Sequence, residues 1–554
     1  MSSRRSHFAP STHSVVARNG LGFFVACFVA CLVATPTIGW AIEAKSLPDS
    51  LELYWQAQLP IAARDGLPIG MSLHSHSSDR NQMVSVMVGN RLVESFDAND
   101  LDRKSYQEAL VAAKSGDNAD KLVSAPPRLG LEGATAKANE VVARLKVLGK
   151  KPTLVTVDTP IVYLVVTSSD GLVQTMNAET GQVLWNASAG TSTLPSLPAG
   201  VSDDYVAVIN GNRLYVYTLQ TGQLLNTRPC KTIPSGMPKP AGDWIFVPGM
   251  NGRMTGYHAT DPEKLTWAQA SSGRSETPPS VSLDKRFLSW STSTGMINFA
   301  KIENEPEIWN RLHTDDDVST AAIPVPDGFV IVSDDGKAVR MSFPNETDLV
   351  SRSGGMVWKY DVGSPLLNEA IAGDGVVLIP TIDRRLVALD IETGLALWNT
   401  PVRNVESVLA VSDRAVYVRT TDRKLGIIDR VNGQPINTIS GRIARGLPNT
   451  TNDRIYLISP EGMIVCIREE DKLSPLSHFT STKDGNSAPD PDGLKEVETS
   501  EKSQNDKTDS GSGNVFGSSP SFGSGEDPFS FGTDSSSRDT STKSDDSSDN
   551  PFDF

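Results

Sequence analysis

Ala388-Leu389-Asp390-Ile391-Glu392-Thr393-Gly394-Leu395-Ala396-Leu397-Trp398 is the stretch on which the fold turns. An apolar strand runs into Asp390, a tight turn closes on Gly394, and a second strand carries a Trp. Asp and Thr hold turns through short side chains that bond nearby backbone, and Gly accepts positive φ. Thr175 to Trp185, with Glu179-Thr180-Gly181, repeats the pattern; Tyr215 to Asn226, with Gln220-Thr221-Gly222, repeats it without the Trp.

A second set of turns keeps the same phase. These are Asp170-Gly171, Asn210-Gly211, Asn251-Gly252, Thr294-Gly295, Asp335-Gly336, Asp383-Arg384, Asp422-Arg423 and Glu461-Gly462, at successive offsets of 40, 41, 43, 41, 48, 39 and 39 residues. Asx-Gly pairs suit two-residue hairpins, whose positive φ values match the twist of paired strands. The segments before them, such as Ile161 to Val166, Tyr205 to Ile209 and Val376 to Ile379, are apolar and β-branched. Each unit closes on Trp185, Asn226, Trp267, Trp309, Trp358, Trp398 or Asn437. A Trp once per unit fills the wedge between neighbouring sheets while its indole N–H reaches a backbone acceptor. A period near 40 residues with about four strands predicts an all-β fold, a β-propeller. The count predicts eight blades, or seven if the two chain ends share a blade differently.

The Ala-x-Asp-x-x-Thr-Gly-x-x-x-Trp pattern resembles the repeat of the quinoprotein (PQQ-type) propeller family over about residues 150–470. That family includes PQQ-dependent dehydrogenases and non-enzymatic relatives in outer-membrane barrel assembly, so the resemblance implies the fold and leaves two functions open. The enzymes hold an anionic tricyclic quinone, usually with Ca²⁺, and supply a carboxylate base. Those that oxidise alcohols commonly use adjacent cysteines. Here no two Cys adjoin, and no Glu/Asn/Asp cluster reads as a Ca²⁺ site. Asp390 and Asp429 occupy the repeat's own Asp position and read as turn residues. No catalytic, cofactor-binding or metal-binding residue is therefore assigned, and no cofactor is expected. His74-Ser75-His76 could set two imidazoles on one strand face, but with no third ligand it reads as an exposed loop pair. Asp315-Asp316-Asp317 after His313 reads as a solvated acidic loop. HExxH, GxSxG and Walker-type signatures are absent, and Asn186, Asn345 and Asn449 head glycosylation sequons.

The chain has 554 residues and a net charge of −15. Residues 471–554 hold 17 acidic and 7 basic residues, a net of −10, which leaves about −5 for residues 1–470. No basic surface for nucleic acid is present. Residues 1–41 read as a signal peptide or an N-terminal membrane anchor: Arg4, Arg5 and Arg18 precede an apolar run from Leu21 to Ala34, with small residues up to Ala41. Cys27 and Cys31 lie in this segment, and Cys230 and Cys466 read as buried free thiols. The propeller is expected over 49–470. Leu51 to Leu59, with Trp55, and Gln82 to Phe96 read as one more degenerate unit, whose strands would complete the last blade and close the ring. A helical insertion at about 101–150 follows, with helices at Asp102 to Lys114 and Ala134 to Leu148; Val141, Val142, Leu145 and Leu148 form an apolar face on the second. Residues 471–554, rich in Ser, Asp and Gly, read as a disordered acidic tail. Spaced along it are Phe516, Phe522, Phe529, Phe531, Phe552 and Phe554.

These readings lead to a non-catalytic exported propeller acting as a protein-interaction scaffold at the cell envelope. Its partners would be envelope or secreted proteins, met through the propeller-face loops and the Phe-bearing tail, with membrane association through the N-terminal segment. The alternatives are a PQQ-dependent oxidoreductase and a carbohydrate- or cell-wall-binding propeller.

Overall fold

A computed structural model describes residues 47–479, apart from 49, 61–66, 90, 105–126, 276, 345–353, 442 and 444, and apart from the side chains of 77–79. All of them fall in one of the two units into which the chain divides, residues 1–497. The expected N-terminal signal or anchor, most of the first insertion helix, and the tail beyond Phe479 lie outside the described residues.

The described strands form eight antiparallel sheets, seven of four strands and one of five. The opening strand β1 (Leu51–Gln58) is set aside by the chain for the end of the ring. Sheet 1 is built from β2 (Pro68–Val88), β3 (Arg91–Asp97), β4 (Pro152–Ser168), β5 (Leu172–Asn177) and β6 (Val183–Ser188), in the order β3-β2-β4-β5-β6. Sheets 2 to 7 follow as meanders over 200–229, 239–270, 280–313, 323–361, 371–403 and 405–439, and the first strand of each lies against the first strand of the next. Sheet 8 takes three strands from 445–469, and β1 is its outer strand, with Leu51 opposite Glu469 and Gln58 opposite Met463. The N-terminal strand thus closes the ring and removes an exposed edge. It does so as the apolar pattern of Leu51 to Leu59 predicts.

The apolar core lies between sheets. Tyr163, Val165 and Val173 of sheet 1 interleave with Val206, Val208 and Tyr217 of sheet 2. Across the closing seam, Val162, Leu164, Val166 and Met176 meet Tyr456, Ile458, Ile464 and Cys466. Strands with both faces buried need apolar residues in unbroken runs, which is why these strands read as runs rather than alternations.

The recurring Trp locks neighbouring sheets. Its indole N–H donates to the carbonyl that follows the repeat's Asp position in the next sheet: Trp55 to Ala178 at 2.9 Å, Trp185 to Leu219 at 2.6 Å, Trp358 to Ile391 at 2.8 Å and Trp398 to Arg430 at 2.9 Å. The Gly of the Thr-Gly turn rests on the same indole. A methyl group at Gly394, whose φ is +69°, would lie 2.5 Å from Cδ2 of Trp358. Asp390 secures that turn, its Oδ1 accepting from the backbone N–H and the hydroxyl of Thr393, both at 2.8 Å. Asp429 does the same for Val431 and Asn432 at 2.9 and 3.0 Å. At Asn226 the amide replaces the indole, and Nδ2 donates to the carbonyl of Ala259 in the next sheet.

The upstream segment departs from the degenerate unit expected of it. Strand β2 serves two purposes. Its first half, Pro68 to Ser75, pairs with Val162 to Ser168 as the inner strand of sheet 1. After a register shift its second half, Arg80 to Val88, pairs with Pro152 to Pro160 and with β3, carrying the hairpin beyond the ring. Helix α1 (Gly130–Val147) packs on this extension, where Ala134, Ala138 and Val141 meet Val84 and Val86. Leu148 does not join them. It is 70 % exposed, because the sheet beneath ends at Val88 and Pro152 while the apolar stripe runs one step further.

Two further departures concern the chain's polar stretches. His74-Ser75-His76 lies in β2, half-buried, rather than in an exposed loop, since the strand continues through it. Residues 471–479, assigned to the tail by composition, pack on the disc. Leu476 N–H donates to Asp453 Oδ1 at 3.0 Å, His478 N–H donates to the carbonyl of Thr451 at 3.1 Å, and Phe479 joins the apolar cluster of sheets 5 and 6.

Candidate functional site: the axial channel and the turn face at its mouth

The ring has two faces. One carries the Asx-Gly turns together with the loops that enter each sheet. The other carries the Thr-Gly turns and the hairpins leaving each inner strand. On the Asx-Gly face the turns are stitched to the entering loops: Gly211 N–H donates to the carbonyl of Pro195 at 2.8 Å, Met250 N–H to that of Ile233 at 2.9 Å, and Ile382 N–H to that of Pro365 at 2.8 Å. Loops fixed this way hold their side chains in set positions, which favours binding.

The inner strands surround an axial channel of about 520 Å³. Its wall mixes polar and apolar surface and is proline-rich, with Pro68, Pro198, Pro278 and Pro448, and its charges are Lys239, Glu369 and Arg445. At the Thr-Gly end, Asp203 of sheet 2 accepts a hydrogen bond from His74 Nε2 at 2.8 Å and an ion-paired one from Lys285 of sheet 4. Burial pulls the His74 pKa down to about 4, so the ring is neutral at pH 7 and donates to Asp203 as a neutral imidazole. Burial, with help from Lys285, pulls Lys239 down to about 8. Glu369 is pushed up by burial, which the nearby Arg445 opposes.

A quinone with Ca²⁺ does not fit this lining. Ca²⁺ takes six or more oxygen ligands, typically several carboxylates. The channel offers Glu369, which burial pushes toward its neutral form, and near its Thr-Gly end Asp203, already engaged by His74 and Lys285. Among the described residues no three His, Cys, Asp or Glu side chains gather as a metal site. Cys230 and Cys466 are both free and buried, in different parts of the ring, and burial pushes Cys230 up to about 11 and raises Cys466 as well. Thiols held protonated are poor nucleophiles. Asp316, central in the acidic loop, bonds Lys337 and is held below its usual range chiefly by that bond. The sequon residue Asn449 is buried, its Nδ2 donating to Asn452 Oδ1 and to the carbonyl of Arg454, both at 2.7 Å.

Sequence reasoning missed the buried charges of the closing seam. Arg454, fully buried, meets Glu179 at 3.2 Å and Asp453 at 3.3 Å. Arg468 meets Glu52 at 2.6 Å and stacks 3.9 Å over the ring of Tyr54. Burial raises both Glu179 and Asp453 against the lowering pull of Arg454. A second buried group ties the insertion to the Thr-Gly face. Asn177 Nδ2 donates to Asp97 and to Asp100, each at 2.9 Å, Thr180 donates to Asp100 at 2.8 Å, and Arg128 reaches the carbonyl of Gln220 at 3.0 Å.

On the Asx-Gly face, Leu67, Leu194, Ile233 and Met250 stand exposed on sheets 1, 2 and 3 around the channel mouth, at 60, 47, 66 and 46 %. Each belongs to a stitched turn or entering loop. These residues set exposed apolar side chains on hydrogen-bonded loops of one face.

A family profile described as outer membrane protein assembly factor BamB matches residues 134–236 and 345–471. No curated protein matches the chain. Among solved structures, BamB from Moraxella catarrhalis is 16 % identical, with a TM-score of 0.45, covering 55 % of this chain and 91 % of that one. The computationally designed Ika8 protein is 13 % identical, with a TM-score of 0.43, over 55 % of this chain and 92 % of that one. The Cps50 (Swd1) β-propeller domain of Myceliophteria thermophila is 13 % identical, with a TM-score of 0.36, over 49 % of this chain and 91 % of that one. The Trp lock and the Thr-Gly turns agree with this profile match, and over the matched residues the chain is similar to the PQQ-type repeat β-propeller of BamB.

Proposed function

We propose that the chain is an exported, non-catalytic propeller that docks proteins at a cell envelope. The apolar arc of Leu67, Leu194, Ile233 and Met250 carries this reading. Exposed apolar side chains held on stitched loops are unfavourable in water and are commonly kept where a partner covers them. The name of the matching family, an outer membrane assembly factor, supports the same kind of role and the same compartment.

A photo-crosslinking residue at Ile233, compared with one at Leu265, tests it. Leu265 is 86 % exposed but follows the Thr-Gly side of sheet 3. Envelope extract should yield a discrete adduct from position 233 that is absent from position 265. Leu194→Ser with Ile233→Ser and Met250→Ser should abolish it. Equal labelling at both positions, or dye-linked alcohol oxidation with a thermal shift on adding PQQ and Ca²⁺, would overturn the reading.

A further inference from the structure

The far end of the insertion has a chemistry unlike the rest of the molecule. The chain carries −15 overall, yet Val141 to Pro152 contains Arg144, Lys146, Lys150 and Lys151 and no carboxylate. All four cations are exposed, and between them stand Val147 at 88 % and Leu148 at 70 % exposure. This end is preformed. Leu148 N–H donates to the carbonyl of Arg144, Gly149 N–H to that of Lys146 and Lys150 N–H to that of Leu145, closing α1 on Gly149 at φ +73°. Pro152 pairs with Val88, so the closed helix end sits at the tip of the β2–β3 hairpin, away from the Asp97–Asp100 anchor. The nearby carboxylate Glu94 faces Arg144 at 3.6 Å, which leaves the three lysines to set the sign of the tip. On the other side of the hairpin, Val88 and Arg91 line a groove with Arg414, Glu470 and Asp471, and none of the lysines or Val147 and Leu148 lines it.

We propose that this tip is a docking point for an anionic lipid surface. Two exposed apolar side chains at a closed helix end, flanked by lysines, match the interface of a bilayer. The side chains enter the headgroup boundary and the ammonium groups meet lipid phosphates. Among the described residues no helix is long and apolar enough to cross a membrane. An acidic protein partner would use the lysines but would gain less from Val147 and Leu148, whose side chains are 88 and 70 % exposed. The lipid surface uses both. The inference stands apart from the proposed protein docking, which concerns the Asx-Gly face.

The test uses the full chain carrying Leu148→Trp, with its N-terminal segment unchanged in every variant. Vesicles are equimolar phosphatidylglycerol and phosphatidylcholine with brominated acyl chains, against the same vesicles of phosphatidylcholine alone. The new Trp should be quenched in the anionic vesicles and not in the neutral ones, and raised salt should release it. Lys150→Glu with Lys151→Glu should weaken the quenching titration by about tenfold or more. Because these residues are exposed, the variants should keep the parent's unfolding midpoint, which is measured alongside. Absence of quenching, equal quenching in neutral vesicles, or an unchanged titration after charge reversal overturns the proposal. So does displacement of the tip from vesicles by stoichiometric polyglutamate, since that assigns it to acidic polypeptides.

Discussion

Replacing Gly394 by Ala probes the device that holds the ring together. Two penalties act there. The left-handed conformation at φ +69° costs an L-residue about 1 kcal/mol. The new methyl group would also stand 2.5 Å from Cδ2, 2.7 Å from Cγ and 2.8 Å from Cε3 of Trp358. Carbon contacts settle near 3.5 Å or more, so the indole must retreat by about 1 Å. Trp358 is only 9 % exposed, and its N–H lies 2.8 Å from the carbonyl of Ile391. That bond lengthens beyond use, while Arg340 still serves the carbonyl at 3.1 Å. The stranded indole N–H costs about 1–3 kcal/mol and the crowding a similar amount, for a total of about 3–7 kcal/mol with the conformational cost.

The control is Gly375→Ala. Its φ is +81°, and nothing lies within 4 Å of the added methyl, so only the conformational cost of about 1 kcal/mol applies. Urea unfolding of both variants should separate them by about 2–6 kcal/mol if m is unchanged. A cycle with Trp358→Leu should show strong coupling, because the smaller side chain relieves the clash. Equal destabilisation by the two alanines, or additivity in the cycle, would refute the idea that the turn glycine is there for the indole.

Arg454→Met leaves Glu179 and Asp453 buried without a cation, so a loss of about 3–5 kcal/mol is expected, partly recovered by adding Glu179→Gln. Denaturant midpoints of the single and double variants check it. Asp100 is raised to about 7, first by burial and then by the charge of Asp97, with Arg128 and Lys137 as the nearby cations. A carboxyl whose folded pKa is raised stabilises fully below its unfolded value near 3.9, and that share is lost as pH rises through about 7. Asp100→Asn keeps the acceptor for Asn177 and Thr180, so it should gain on the parent between pH 5 and 8 by about 2–4 kcal/mol, read by hydrogen exchange at Ala98 to Leu101. A gain that does not change with pH would count against the acid pair.

The repeat was legible because its residues act locally. Asp390 bonds the next two or three backbone N–H groups, Gly394 supplies a φ that other residues resist, and Trp358 fills a wedge that recurs at every sheet boundary. Each of these needs is met within one unit, so it leaves the same letters at the same spacing. Ring closure was legible for a related reason: β1 has to satisfy the lock itself, and Trp55 does so on Ala178. The features that escaped depend on partners far along the chain. Nothing local in Asn452-Asp453-Arg454 marks Arg454 as buried, and only the ring brings Glu179, 275 residues away, to neutralise it. His74 reads as loop because its neighbours are polar, yet the axis supplies Asp203 and Lys285 from other sheets.

The same distinction bears on function. A catalytic quinone site in such a ring would be built of long-range pairs at the axis, so its absence from local motifs says little by itself. The axial residues can be examined for it only in three dimensions. There Asp203 is spent on a strut between His74 and Lys285, and burial pushes Glu369 toward its neutral form. A carboxylate committed to a neighbouring cation, as Asp203 is, cannot also hold Ca²⁺ without leaving that cation uncompensated, and a protonated one is a poor ligand. Interior charges such as Arg454, Arg468 and Asp203 close and brace the ring, and its outward features include an apolar arc on one face and a basic, apolar tip on the insertion. Those outward features are where its binding is to be sought.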